Sequence, residues 1–407
     1  MLALRGFASF LRPAAVVALA FAVLPPAVRA DGPAPSAKPA PSRSEQPVSA
    51  ALKPFVEAGT LAGAVVLVAD KDKVLAVEAV GYADIAAKRP MTTDAVFWIA
   101  SQTKSVTAAA LMILVDEGKV ALDDPVEKHL PEFKGLWLAA ERDKDHVLLK
   151  RPHRLVTVRD ILSHTSGMPF RSAMEVPTLD GLPLRDAVRS YAMTPLEFEP
   201  GAKYLYSNCG INTAGRIIEV VSGQAYEDFL SERLLKPLGM KDTTFWPDEA
   251  RAARLAKTYR PDAAKKGLEE TTTGFLRHPP TDRRTRYPMP AGGLFSTADD
   301  VGRFCRMMLG GGAFEGKRIL SEAAVRELTR RQTPEGLKES YGLGFSVDGG
   351  GFGHGGALST NMHIDAKRGL VTVFLVQHTG FPGDGKNASA AFRKAAEERY
   401  GPAASAP

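Results

Sequence analysis

Cysteine is nearly absent from this chain of 407 residues: there are two, Cys209 and Cys305. That excludes a disulfide-built scaffold. No Cys-x-x-Cys or His-Glu-x-x-His occurs, so no metal and no cofactor is expected. An oxidising compartment would let the two thiols pair, but nothing in their spacing requires it. Internal repeats are also missing, which excludes a solenoid or propeller. Charge of one sign is scarce, with 52 Lys and Arg against 46 Asp and Glu. So even a balance gives no case for a nucleic-acid partner. The densest basic run, Arg277 to Arg286, lies among prolines and threonines. It reads first as a solvated loop and second as an anion-attracting rim.

Long apolar runs are missing too, except at the start. Arg5 and Arg12 precede an apolar stretch from Ala14 to Leu24; Pro25 and Pro26 break it, and Val28 and Ala30 supply small residues. This is the pattern of a secretory signal (1–30) cleaved after Ala30, and the run is too short to span a bilayer comfortably. The expected location is periplasmic or secreted, with no stable membrane insertion once the signal is removed. Loss of three arginines would leave 49 bases against 46 acids.

Residues 31–47, rich in proline, alanine and serine, have nothing to bury and read as a disordered tether. A helix is expected near Val48–Glu57. Two strand-like runs, Ala62–Asp70 and Lys73–Ala83, follow with a two-residue polar link, a hairpin signal. Helices then dominate: one in "TVRDILSHTSG" stopping at Gly167, one over Asn208–Gly223, and one in "AYEDFLSERLLKPLGM". Another opens with a capping box, Ser296 three residues before Asp299. Residues 136–154 are dense in charge and look like a surface excursion. Strands return near the C-terminus, and a last helix covers about Ala388–Tyr400. The expectation is an α/β protein of the α+β type over 48–400. One antiparallel sheet is built from both chain ends (48–115 and 290–400) and flanked by helices. An all-helical sub-domain is inserted at 116–289, and 401–407 forms a disordered tail.

The helix after Phe97 carries an anomaly. From Ser101, positions 104, 108, 111 and 115 share a face, and all but Lys104 are apolar or small. A helix apolar on every side is buried. Lys104 therefore faces desolvation as well as an unfavourable helix dipole. One reading makes Ser101 an N-cap and lets Lys104 snorkel to solvent. The other makes Ser101 a nucleophile whose proton a desolvated Lys104 takes. The helix N-terminus would then favour the oxyanion.

Two further motifs bear on that choice. "YSN" places Tyr206 and Asn208 immediately before an apolar helix. A tyrosine beside a cationic lysine would have its phenolate favoured and could act as base and then acid. Asn208 could orient a substrate or the lysine, or simply cap the helix. "GFGHGGALST" surrounds His354 with glycines, marking either close approach of a ligand or a β-bulge.

In this order the three motifs resemble the serine β-lactamase and penicillin-recognising hydrolase superfamily. The likeness is nearest to its class C branch and to related esterases and D-amino-acid peptidases. "ILSHTSGMPF", "PLGMKDTTF" and "AGGLFSTADDVGRF" look like further landmarks of that family, and the likeness runs from about Val48 to Tyr400. It implies a β-lactamase/transpeptidase-like fold with Ser101 as acylated nucleophile, Lys104 as its activator and Tyr206 as the proton-transfer residue. Asn208 becomes a substrate-orienting amide. His354, Gly355 and Gly356 lie along the cleft, and the N–H groups of Ser101 and Ala357 form the oxyanion hole.

Dedicated β-lactamases of this superfamily usually carry Lys-Thr-Gly where this chain has His354-Gly355-Gly356. A largely neutral histidine offers no permanent charge for a drug carboxylate. The expected activity is therefore cleavage of a carboxylic ester or a D-amino-acid-containing peptide. A true β-lactamase and a non-catalytic binder of cell-wall peptides are the alternatives.

Overall fold

The computed structural model describes residues 46–401. The signal segment, most of the tether and residues 402–407 of the tail lie outside them. Among the described residues no helix is long and apolar enough to cross a membrane.

Seven strands form the main sheet: β1 (Gly63–Ala69), β2 (Val74–Asp84), β3 (Arg89–Pro90), β4 (Ser346–Val347), β5 (Gly351–Gly355), β6 (Asn361–Asp365) and β7 (Leu370–Leu375). They lie in the order β4-β5-β6-β7-β1-β2-β3, with every pairing antiparallel. The first strands of the chain thus pair with its last, Val65 opposite Leu375 and Ala69 opposite Val371.

All seven residues of β1 are buried, which explains why it reads as an unbroken apolar run. Successive side chains point to opposite faces. Ala64, Val66 and Val68 pack with Leu52, Phe374 and Phe392, while Val65, Leu67 and Ala69 belong to the larger core on the other side. Each buried valine or leucine contributes about 1.5–3 kcal/mol.

The helices that matter for the site are α1 (Thr103–Asp116), α2 (Val158–Ser163), α3 (Leu184–Ala192), α4 (Asn208–Ser222), α5 (Ala298–Leu309) and α6 (Ala388–Tyr400). α6 covers one face of the sheet together with the 3-10 turn Val48–Leu52, and α5 covers the other. α1 packs on α4, which also carries α2 and α3.

Several expectations need correction. The 116–289 region is not all-helical. Leu138–Arg142 pairs with Val147–Lys150, and Thr258–Pro261 pairs with Leu268–Thr271. The charge-dense surface excursion is an exposed hairpin. Asp143 closes its turn by accepting the N–H groups of Asp145 and His146. Helix α2 ends at His164, whose φ of 62° is left-handed, and not at Gly167. Helix α5 is capped by Thr297, which accepts from Asp300 N, one residue past the expected pair. The "AYEDFLSERLLKPLGM" helix is interrupted by a π turn at Ser231–Leu235. Both cysteines are buried and free.

Candidate active site

The chain reaches Ser101 from a short strand, Phe97–Trp98, which pairs with Phe295–Ser296. Ser101 lies in a 3-10 turn, Ala100–Gln102, so the α-helix proper begins at Thr103 and Ser101 is not its N-cap. Ala100 has a φ of 47°, a left-handed conformation unusual for a residue with a side chain. That strain immediately before Ser101 is held from two sides. Thr103 Oγ1 donates to Ala100 O at 2.6 Å and accepts Leu294 N–H at 3.2 Å. On the sheet side, a Cβ on Gly356 would lie 2.6 Å from Ile99 O and 2.1 Å from Thr360 Oγ1. Glycine is required there because the β5–β6 connection presses on the chain leading to Ser101. Gly355, by contrast, has room for a side chain.

Every residue of α1 from Thr103 to Leu114 is buried, Lys104 included at 0 % exposure. Lys104 does not snorkel. Its Nζ stands 3.2 Å from Ser101 Oγ, and it donates to Asn208 Oδ1 at 2.7 Å and Ala291 O at 2.7 Å. No carboxylate pairs with it among the described residues. Burial therefore holds its pKa well below that of an ordinary lysine.

Tyr206 and Asn208 come from the segment entering α4. The cap of that helix is Ser207, which accepts from Gly210 N, and not Asn208, whose side chain turns to the lysine. Ser207 Oγ donates to Pro169 O at 2.7 Å, and Asn208 N donates to Phe170 O at 3.1 Å. The "HTSGMPF" turn is thus the template on which Tyr206 and Asn208 are laid. The ring centroid of Tyr206 is 4.6 Å from Lys104 Nζ. The tyrosine's pKa is raised, first by burial. The expectation of a favoured phenolate is corrected accordingly: the phenol's own burial outweighs what the neighbouring lysine could do for its anion.

His354 sits on β5 and is 6 % exposed. Its Nδ1 lies 2.6 Å from Gly355 O and its Nε2 2.9 Å from Tyr341 OH. A carbonyl can only accept, so Nδ1 carries the proton and Nε2 accepts from the tyrosine. Burial, then the proximity of Lys104, lowers its pKa to about 4. His354 is neutral at physiological pH. Ser101, Asn208 and Ala357 line one cleft of about 300 Å³, whose other walls are Trp98, Phe170, Leu179, Phe275 and Met289.

Sequence reasoning missed Tyr341, His164 and Ala291. His164 is fully buried; its Nδ1 accepts Ser207 N–H at 3.2 Å and its ring centroid is 4.6 Å from that of Tyr206. Its signal was present within "HTSG" without an assigned role. Ala291 opens the "AGGLFSTADDVGRF" landmark but was likewise without an assigned role, and Tyr341 carries no local signal.

The β-lactamase family model matches residues 48–397. Protein Rv1367c of Mycobacterium tuberculosis is 34% identical over 369 residues, covering 81% of this chain and 89% of that protein. Esterase EstB of Burkholderia gladioli is 30% identical over 318 residues, covering 72% and 74%. Among solved structures, EstCE1, described as a hydrolase with promiscuous acyltransferase activity, superposes with a TM-score of 0.71 at 24% identity, covering 87% of this chain and 97% of that one. A family match over nearly the whole described fold, together with relatives of this coverage, establishes that the chain belongs to the β-lactamase family of serine hydrolases.

Proposed function

We propose that this serine hydrolase is exported and cleaves uncharged carboxylic esters through an acyl-enzyme on Ser101. One observation carries the reading: a fully buried lysine without a counter-ion, 3.2 Å from Ser101 Oγ. Export rests on the sequence pattern of the first thirty residues.

In the unliganded state burial favours the neutral amine of Lys104. Its two N–H bonds go to Asn208 Oδ1 and Ala291 O, which leaves its lone pair toward Ser101. As Ser101 Oγ bonds to the ester carbonyl carbon, its proton passes to Nζ. The resulting ammonium donates to the same surroundings. The carbonyl oxygen becomes an oxyanion, received by the N–H groups of Ser101 and Ala357, each worth about 3 kcal/mol of barrier. Collapse breaks the carbon–oxygen bond of the ester. The leaving alkoxide takes the proton of Tyr206, a neutral phenol suited to donate, and Tyr206 is reprotonated from Lys104. Water then attacks the acyl-enzyme by the same path in reverse, releasing the carboxylic acid and restoring Ser101.

The cleft supports an ester over the alternatives. Its walls are apolar, and no cationic side chain lines it. A β-lactam or a D-alanyl peptide brings a carboxylate, and His354 is neutral. The Asn208 amide, on the wall of the cleft, can orient a neutral carbonyl. Intact mass after quenching with p-nitrophenyl butyrate tests the reading. Wild type should gain one butyryl group and Ser101→Ala none; an equal adduct on both sinks it. A panel of that ester, a D-alanyl dipeptide and a chromogenic cephalosporin should show the ester turned over fastest. Preferential turnover of either other substrate would move the assignment to that class.

A further inference from the structure

Glu175 is a buried carboxylate, 1 % exposed, and has no ion-pair partner among the described residues. It lies in the connection before α3, and nothing in the proton path above uses it. Its hydrogen bonds lead to the lysine. Oε2 accepts Ser172 N–H at 2.8 Å, and Oε1 accepts Tyr191 OH at 2.6 Å. Tyr191, on α3, in turn accepts from Asn212 Nδ2 at 2.9 Å. Asn212, on α4, accepts Ala291 N–H at its Oδ1 at 2.9 Å. The carbonyl of that same Ala291 takes one N–H of Lys104 at 2.7 Å.

The direction of this chain is forced by chemistry. An ionised carboxylate can only accept, so the single tyrosine proton goes to Glu175. The tyrosine oxygen must then accept, which turns the NH₂ of Asn212 toward it. The amide oxygen of Asn212 therefore faces Ala291 N–H and anchors residue Ala291, whose own carbonyl, on the following peptide, holds Lys104. Two donors at Glu175 favour its ionised form, although burial raises its pKa. Every link is buried, where such bonds are strong and an unmet partner is costly.

We infer that Glu175, Tyr191 and Asn212 form a positioning relay that aims the lone pair of Lys104 at Ser101 by fixing the Ala291 carbonyl. The inference rests on Lys104 being the proton acceptor for Ser101. None of the three relay residues touches substrate. Loss of the relay slows acylation without altering how the ester binds.

Tyr191→Phe keeps the ring that fills the core and removes the hydroxyl, so it is the decisive variant. Glu175→Gln is the second, because an amide cannot accept from both Ser172 N–H and Tyr191 OH without presenting its own NH₂ to one of them. The pre-steady-state release of p-nitrophenol from p-nitrophenyl butyrate is measured at a temperature where circular dichroism shows each variant folded. The acylation rate constant should fall about tenfold or more in each variant, with the half-saturating ester concentration within about twofold of wild type. The double variant should be no slower than the slower single one, because a relay fails as a unit. An unchanged acylation rate in whichever variant folds overturns the inference. So does a loss confined to half-saturation, or losses that multiply in the double variant. Absence of a Ser101 adduct in wild type would remove the catalytic reading and this inference with it. A wild-type adduct with an unimpaired Tyr191→Phe variant removes the inference alone.

Discussion

His354 marks how far a motif reads as chemistry. Its position in the sequence pointed to the cleft, but its ring is spent on the protein: one nitrogen donates to Gly355 O and the other accepts from Tyr341. Lysine at this position would put a second amine into a buried site already holding Lys104, where burial penalises its charged form. His354→Lys should therefore lower unfolding free energy by about 2–4 kcal/mol in urea titration and bring no efficient cephalosporin turnover. Full stability with new turnover would show that the site tolerates the charge. Ser101, Lys104, Tyr206 and Asn208 were legible in the sequence because each pair is held within four residues on one short element. Tyr341, Ala291 and Glu175 were not, because each reaches the site from a connection far away in the chain. Tyr206 shows a subtler limit. Its neighbour was foreseen, but its protonation follows from burial, which local sequence does not state.

The sheet and the caps of the helices set the next level. The β5–β6 connection is seated against the residues before Ser101 by the absence of a Cβ at Gly356. Gly356→Ala should push that connection away and separate the N–H of Ala357 from that of Ser101. We expect acylation to drop by about a hundredfold, the loss of one oxyanion donor, while the melting temperature falls by a few degrees. Gly355→Ala, where space is open, serves as the control and should keep most activity; equal losses in both would refute the packing account. At this scale the strands and most helices were legible from period and glycine stops. The misses were physical near-ties. Ser296 and Thr297 are both good caps, and register in the fold selects the second. The two missed hairpins bury little beyond Leu138 and Tyr259, so they lack the apolar alternation by which strands announce themselves.

Across the whole molecule, three buried histidines accept hydrogen bonds at an imidazole nitrogen. His164 accepts from Ser207 N, His354 from Tyr341 OH, and His378 from Ala62 N at 3.2 Å. Each must be neutral to do so, and burial lowers all three pKa values, His354 and His378 to about 4. Their folded values lie below the unfolded one of about 6.5. The stability they contribute is thus complete above pH 6.5 and lost as pH falls below it, for His354 and His378 by up to about 3 kcal/mol each as pH approaches 4. Asp300, raised to about 6 by burial, Glu175 and Glu227 act in the opposite sense, while the lowered pKa of buried Lys104 adds to the histidines. The urea midpoint should decline steadily from pH 7 to pH 5. A midpoint that held or rose over that range would contradict the assignment.

The pairing of β1 with β7 also dictates when the molecule can exist. A nascent chain that has passed Asp84 owns a hairpin and nothing to lay it against. The strands that complete the sheet, from Ser346 to Leu375, are made last, and the helix that seals its outer face, Ala388–Tyr400, follows them. Contacts of such long sequence separation are slow to form and cannot form before synthesis is nearly finished. The chain therefore leaves the ribosome without its central sheet. The order of strands that builds the active site thus also delays its assembly until the chain is complete.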